Sequence, residues 1–221
     1  MRRLGPLFLL VFLVGAGGGP GGRVTGKIGV TVGGVEQADA SGVVVYVVGF
    51  TEPPPPKAPP AEILQRGRRF VPSLLPITAG QEVTFPNDDP FFHNVFSVSP
   101  GSKFDLGQYR RGQTKTKLFV ETGPVEVYCN IHPEMAATIL VLPNRRFATT
   151  AADGRFAIDG VPAGRWTLYA YDRFAESPQR VEIAVGSGET TEVGFTIART
   201  RTSFPHKNKY GEEYRDPERY R

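Results

Sequence analysis

The sequence is poor in cysteine, histidine and methionine, the side chains that most often bind soft or borderline metal ions. Its 221 residues include one cysteine, three histidines and two methionines. One cysteine cannot form an internal disulfide, and an unpaired thiol in an oxidising compartment is a liability unless it is buried or binds a metal. Three histidines are too few to build two histidine-rich metal centres in one chain.

Sustained helical periodicity is also lacking after the N-terminus. Instead, 26 glycines and 20 prolines separate short runs rich in Val, Ile, Thr, Phe and Tyr, which suit a half-buried pleated surface. The net charge of +4 is modest and includes no concentrated basic stripe, so the sequence does not indicate a nucleic-acid-binding protein. These features predict an all-β fold with one large or two modest domains.

The first 19 residues have the pattern of an export signal. Arg2 and Arg3 precede an almost unbroken apolar run over 4–14, and small residues follow at 15–18. Because this run is short for a bilayer span, we expect a signal peptide over 1–19 rather than a retained anchor. The expected location is periplasmic or secreted, and membrane contact would come only through an uncleaved signal or a basic tail.

A proline-rich stretch over 52–60 divides the remaining chain and predicts a stiff, extended crossing between domains. We predict a discontinuous β-sandwich formed by 23–56 and 144–198, a separate β-domain over 61–143, and a charged, solvated tail over 199–221. Predicted strands occupy 23–28, 43–50, 70–77, 82–85, 94–98, 114–120, 125–129, 137–142, 165–171, 181–185 and 191–197. Asp153-Gly154 predicts a hairpin between 149–150 and 155–158.

One short segment concentrates the ligand chemistry. In Cys129-Asn130-Ile131-His132-Pro133-Glu134-Met135 a thiolate, an imidazole and a thioether lie within seven residues, and His93 lies 36 residues upstream. Two imidazoles and one thiolate in a trigonal plane, with a weak axial thioether, make a blue-copper electron-transfer site. We therefore predict one mononuclear copper ion bound by His93, Cys129, His132 and Met135.

Each of these residues has a simpler explanation when it is taken alone. A single histidine is more often a surface or core residue, and Met135 or Cys129 could simply fill a core. Zinc is the alternative metal, but a thioether is a poor zinc ligand and the domain has no further cysteine or histidine to complete a tetrahedron. His206 lies in the charged tail, so we do not expect it to be a ligand.

With these motifs, the region from about residue 61 to 143 resembles the plastocyanin/amicyanin family of cupredoxins. The resemblance is carried by Phe70-Val71-Pro72, by the Gly80–Asp89 segment, by His93-Asn94-Val95 and by the Cys129–Met135 loop, whose short length is most similar to amicyanin. It implies a Greek-key β-sandwich with copper near one end and with the His132 ring edge at the surface. It also implies an apolar patch, for which the candidates are Pro90, Phe91, Pro133 and Met135, and a role for Asn94 in holding the Cys129 loop.

The segment over 146–197 resembles the carboxypeptidase regulatory-like, or transthyretin-like, β-sandwich. Asp153-Gly154-Arg155-Phe156, Val161–Gly164 and Trp166-Thr167-Leu168 carry this resemblance. The opening strands of such a domain match 24–27 and 42–46, which precede the copper domain, so we favour insertion of the copper domain into a loop of this smaller sandwich. The alternative is that 24–50 adds edge strands to the copper domain. No catalytic set is evident in this second region.

These features favour an exported one-electron carrier that is not an enzyme and that exchanges electrons by outer-sphere transfer through the His132 edge. The alternatives are a copper-binding or delivery protein without a redox role and an extracytoplasmic scaffold protein. An oxidase or nitrite reductase would need a second, histidine-rich site. We expect redox partner proteins of the cytochrome or dehydrogenase type, no nucleic acid, and a monomer.

Overall fold

The computed structural model describes residues 20–56 and 58–214, and within these ranges the chain forms strands, turns and loops without a helix. The all-β prediction is confirmed. The predicted signal over 1–19 lies outside the described residues, and the described part has no helix long and apolar enough to cross a membrane.

The strands are β1 (Gly22–Val32), β2 (Val35–Glu36), β3 (Val44–Val48), β4 (Ala61–Glu62), β5 (Leu64–Gln65), β6 (Phe70–Val71), β7 (Leu74–Thr78), β8 (Gln81–Pro86), β9 (His93–Ser97), β10 (Phe104–Tyr109), β11 (Thr114–Phe119), β12 (Gly123–Tyr128), β13 (Ala136–Leu142), β14 (Phe147–Thr149), β15 (Arg155–Val161), β16 (Gly164–Tyr171), β17 (Gln179–Val185) and β18 (Thr190–Arg199).

Strands β4 to β13 form a structure that we call the central sandwich. One sheet has the order β10-β9-β12-β13-β7, the other has the order β11-β8-β4, and β5 and β6 form a small hairpin beside them. Alternate residues of each strand point into one apolar core, as in Val83 and Phe85 of β8 and Val125 and Val127 of β12. This core holds Cys129 and Met135 at one end.

The remaining strands form two sheets that share a second apolar core, and we call them the flanking sandwich. Their orders are β15-β1-β18, with β2 at the edge of β1, and β14-β3-β16-β17. Strand β1 pairs antiparallel with β15 and parallel with β18, whereas β3 pairs antiparallel with β14 and β16. The first two long strands of the chain therefore take their sheet partners from the C-terminal part. The likeness of the flanking sandwich to the transthyretin-like fold stays a prediction.

Strands β3 and β13 join the two sandwiches because each is buried on both faces. Ile139 and Val141 of β13 lie in the central core, while Leu140 and Leu142 point the other way and pack with Val44 of β3. A strand buried on both faces needs an apolar run rather than alternation, and the segments VVYVV and AATILVL have that character. The contact fixes the central sandwich against the flanking sandwich.

The chain passes between the sandwiches at two adjacent points. The Glu52 amide donates to the Pro143 carbonyl at 3.0 Å, and the Asn144 side chain donates to the carbonyls of Val47 and Phe50. The Arg146 guanidinium lies 2.8 Å from the Glu52 carboxylate. The outgoing and returning segments are thus tied together.

One local expectation is wrong, and one strand was not predicted. Asp153-Gly154 does form a tight turn, in which the Asp153 carboxylate accepts from the Arg155 amide, but the strands on either side enter different sheets: β14 pairs with β3 and β15 pairs with β1. The region after Phe104, where no strand was predicted, forms β10, which pairs with β9 across an irregularity between Asp105 and Gln108. Turn chemistry specifies the reversal but not the partner of the strand that follows it.

Candidate metal centre

The predicted ligands come from three adjacent elements at one end of the central sandwich. His93 is the first residue of β9, and Cys129 directly follows β12. The segment from Cys129 to Met135 is a tight loop, in which the Met135 amide donates to the His132 carbonyl and the Cys129 amide donates to the Met135 carbonyl. Because β9 and β12 are neighbours in one sheet, with Tyr128 opposite Phe96, His93 and Cys129 lie close together at one end of that sheet.

Three donor atoms of these residues form a small triangle. The Cys129 Sγ lies 3.9 Å from His93 Nδ1 and 3.7 Å from His132 Nδ1, and the two Nδ1 atoms are 3.0 Å apart. Donors held about 2 Å from a first-row divalent ion at 120° to one another lie about 3.5 Å apart, so the triangle matches a trigonal ligand plane. All three residues are buried, which excludes bulk water.

Protonation of the two imidazoles also suits metal binding. Burial lowers the pKa of His93, and burial together with the neighbouring His93 lowers the pKa of His132 to about 4. Both rings are therefore neutral at physiological pH, which is the form that binds a metal. Burial raises the pKa of the Cys129 thiol, while backbone amides of Asn94, Ile131 and His132 act in the opposite direction.

Asp89 orients the His93 ring, and sequence reasoning missed it. Its carboxylate lies 2.8 Å from His93 Nε2 and accepts backbone N–H bonds from Gly67 and Arg68. Burial alone would raise the pKa of Asp89, but these bonds and His93 hold it below its usual value, so it is an acceptor. The proton is thus assigned to Nε2, which leaves the Nδ1 lone pair facing the thiol. The signal was a carboxylate four residues before the first histidine.

Met135 lies on the ligand loop, as expected, but it is not part of the exposed apolar patch that the resemblance implied. It is fully buried in the central core, so it does not belong to the apolar patch for which it was a candidate. His132 is only 5 % exposed. Pro90 is exposed, Phe91 and Pro133 are half-buried, and the large apolar side chain that stands out is Phe92, which is 53 % exposed and was not anticipated.

The side chain of Asn94 does not hold the Cys129 loop, contrary to expectation. Its amide donates to the Asp105 carboxylate at 2.7 Å, and Asp105 also pairs with Lys209 from the C-terminal segment. The contribution of Asn94 to the thiol comes from its backbone amide. The sequence identified Asn94 as a residue that supports Cys129, but the group responsible is its backbone amide rather than its side chain.

The C-terminal segment is packed on this loop rather than solvated, which corrects the expectation for the described part of the tail. The Tyr214 hydroxyl donates to the Cys129 carbonyl at 2.7 Å, and the Lys209 amide donates to the Asn130 side chain at 2.8 Å. The His206 ring stacks on Tyr128 with 3.9 Å between centroids. His206 therefore lies outside the ligand triangle, as expected, but it covers the strand end that leads into Cys129.

Comparisons with known proteins return only structural neighbours. No family model matches the chain, and no curated protein matches it. A purple cupredoxin from Nitrosopumilus maritimus is 26 % identical and aligns over 37 % of this chain and 99 % of its own, with a TM-score of 0.34. A Cu(I) amicyanin variant is 16 % identical over 44 % of this chain and 98 % of its own, with a TM-score of 0.36. A copper-containing nitrite reductase from Thermus scotoductus is 23 % identical over 51 % of this chain and 28 % of its own, with a TM-score of 0.38.

The donor atoms themselves indicate which ion the site would bind. A buried thiolate, two neutral imidazoles and a thioether loop suit a metal that alternates between soft and borderline character, and they do not suit zinc, calcium or magnesium. Within its described residues this is an all-β protein with cupredoxin-like neighbours, in which His93, Cys129 and His132, with Met135 on the same loop, form a type 1 copper-like ligand set.

Proposed function

We propose that this protein is an exported one-electron carrier whose copper ion is held by His93, Cys129, His132 and Met135. The observation that carries the proposal is the buried donor triangle, in which both imidazole Nδ1 atoms lie within 4 Å of one thiol sulfur and all three residues are buried. A bound copper ion would supply the change of valence. The proposal includes a periplasmic or secreted location, a monomeric state, a non-enzymatic role and a redox partner of the cytochrome or dehydrogenase type.

The chain's own residues keep the ligand positions fixed, which a carrier needs if electron exchange is to be fast. Asp89 holds the His93 ring, the loop carries two internal backbone hydrogen bonds, and Tyr214 fixes the Cys129 carbonyl. A delivery protein needs a ligand that exchanges readily and an approach for the acceptor. The burial of all three donors supports the carrier over delivery.

Metal titration tests the proposal. One equivalent of Cu(II) added to the metal-free protein should produce an intense visible thiolate-to-copper charge-transfer band, and Cys129→Ser and His93→Gln should lose it. The matched control is His206→Gln, which removes the one histidine outside the triangle and should keep both the colour and the one-to-one stoichiometry.

Voltammetry of the copper-loaded protein then separates a carrier from a delivery protein. A carrier should give a reversible one-electron wave and should release copper slowly to a chelator. A colourless copper complex, or a coloured one that loses copper to the chelator within the mixing time, would contradict the proposal.

A further inference from the structure

We propose that the copper end of the central sandwich is a docking surface for an acidic redox protein, and this inference rests on the proposed function. The surface, which we call the arginine face, consists of Phe92 and five arginines, Arg66, Arg68, Arg69, Arg110 and Arg111. It is separate from the apolar patch expected from the sequence. The partner it fits presents a ring of carboxylates around an apolar centre.

The arginines come from two loops that meet at this end. Arg66 to Arg69 lie between β5 and β6, and Arg110 and Arg111 follow β10, whose last residue pairs with His93. Asp88 joins the loops, because its carboxylate lies 2.7 Å from the Arg66 guanidinium and 3.6 Å from that of Arg111. Asp88 therefore joins Arg66 of one loop to Arg111 of the other.

The acidic groups at this end do not cancel the cations. Asp88 is shared between two arginines, Asp89 is buried against His93, and Glu134 is the exposed carboxylate on the ligand loop. Five cations against these three anions leave a net positive charge. Such a surface attracts anionic partners and raises their association rate, whereas it repels cationic ones.

The loop that leads into His93 also exposes a large apolar side chain at this end. Phe92 is 53 % exposed, and it lies two residues after the exposed Pro90 and directly before the ligand His93. An aromatic anchor within a charged rim, with arginine in that rim, is the composition of a protein–protein interface rather than of an ordinary solvated surface. The described residues leave about half of the Phe92 side chain exposed to solvent.

The arginine face is coupled to the ligands by direct contacts. The Arg68 guanidinium lies 5.0 Å from the Phe91 ring, and that ring lies 5.4 Å from His93 and 5.5 Å from His132. The amides of Gly67 and Arg68 donate to Asp89, which holds His93. A partner on this surface is therefore separated from both imidazoles by one layer of side chains.

The side of the ligand loop next to Tyr128 is covered by the chain itself. His206 stacks on Tyr128, and Tyr214 donates to the Cys129 carbonyl, so a partner cannot approach the thiol from there without displacing the C-terminal segment. The arginine face reaches the imidazoles through Phe91 instead, and no hydrogen bond or ion pair joins its arginines to the described part of the C-terminal segment.

Binding of a redox-inert anion tests the surface independently of copper. With metal-free protein, paramagnetic hexacyanochromate(III) should broaden amide signals of 66–69, 91–92 and 110–111 before those of other regions. The double variant Arg69→Glu/Arg110→Glu should remove this broadening, and Lys27→Glu/Arg165→Glu, the same charge change on exposed positions of the flanking sandwich, should not. Broadening centred on the C-terminal lysines, or spread evenly, would overturn the proposal.

A kinetic experiment on copper-loaded protein tests the consequence. One electron passes from the reduced protein to hexacyanoferrate(III), which becomes hexacyanoferrate(II). This rate should fall by about fivefold or more between low and high ionic strength, and by about tenfold in the arginine double variant, whereas tris(phenanthroline)cobalt(III) should show the opposite trends. Equal trends for both oxidants would overturn the docking proposal while leaving the carrier role intact.

Retention on anionic phospholipid vesicles at physiological salt, lost in the same double variant, would reassign the surface to a membrane and would also overturn the proposal. If the glutamate variant does not fold, Arg69→Gln/Arg110→Gln replaces it, with half the expected change in charge. A wild-type protein that gives no colour with copper would contradict the proposed function. The hexacyanochromate experiment uses metal-free protein, so it would still test whether the arginine face binds anions.

Discussion

The two sandwiches have the same kind of apolar core, but they use their buried polar groups differently. In the flanking sandwich the buried polar groups tie the chain together: Thr150 is hydrogen-bonded to Val43 and Ala40, and Asp172 pairs with Arg199. In the central sandwich one end buries His93, His132 and Asp89. The comparison shows that chemistry here comes from the loops at one end of a sandwich rather than from the architecture.

Each sandwich also carries its own natural reporter, since the only tryptophan, Trp166, packs on the flanking core and the only cysteine, Cys129, lies in the central core. Leu168→Ala should lower the free energy of unfolding of the flanking sandwich by about 3 kcal/mol, because it empties a fully buried site. Trp166 fluorescence in urea measures this change.

The matched variant Ile139→Ala should instead shift the urea dependence of Cys129 thiol labelling in metal-free protein by a similar amount. If either substitution moves both transitions together, the contact of Val44 with Leu140 and Leu142 makes the two sandwiches one cooperative unit. The two sandwiches would then differ in composition but unfold as one unit.

Asp89→Asn should weaken copper binding by about 10- to 100-fold, because the carboxylate that holds His93 is lost. Competition with a chelator of known affinity measures the effect. Asp88→Asn is the control, since its side chain is partly exposed and pairs with arginines rather than with a ligand. Equal losses in the two variants would mean that general electrostatics, not orientation of the ring, decides affinity.

Tyr214→Phe should cost about 1 kcal/mol of stability and speed copper release, because the Cys129 carbonyl loses its donor. Urea unfolding and chelator kinetics are the two measurements. Tyr210→Phe is the matched control, because Tyr210 belongs to the same segment and is 72 % exposed. Unchanged release in Tyr214→Phe would show that the C-terminal segment does not constrain the ligand loop.

The smallest expected effect is a pH step in the attachment of the C-terminal segment. Burial alone would raise the pKa of Asp105, but hydrogen bonds from Lys209, Asn94 and the Gly107 amide hold it below its usual value. The contribution of Asp105 is therefore complete above the ordinary pKa of 3.8 and is lost as the pH falls through the lower folded-state value.

NMR signals of the Lys209 side chain, which pairs with Asp105, should accordingly stay constant from neutral pH to about pH 4 and change only in more acidic solution. Asp105→Asn should remove this step, and Asp153→Asn, at an exposed turn of the flanking sandwich, should not. A change centred above pH 5 would contradict the assignment to Asp105.

The sequence predicted the parts of the molecule that depend on local pattern. Alternating apolar residues located most strands, and the Cys129–Met135 loop with the upstream His93 identified the donors that the structure brings together. The parallel pairing of β1 with β18 and of β7 with β13 could not be predicted in this way, because alternation reports which face is buried and not which strand lies beside it.

Two further differences between the sequence-based expectations and the structure concern strand β10 and the C-terminal segment. Strand β10 was missed because Gly107 and the irregularity after Asp105 break its alternation. The C-terminal segment was expected to be solvated because its charges dominate its composition. Phe204, His206 and Tyr214 lie between those charges, and two of the three make the contacts that attach the segment to Tyr128 and Cys129.

The parallel pairing of β1 with β18 has a consequence for the order of folding. Val24 meets Thr191, so this ladder joins the most distant parts of the described chain, whereas the central sandwich pairs strands within its own continuous stretch. Contacts between distant residues form slowly. Closing the central sandwich first brings Glu52 beside Pro143 and removes about 90 residues from the loop that β1 and β18 must close. The last strand of the described residues, β18, is therefore also the one whose arrival completes the flanking sandwich.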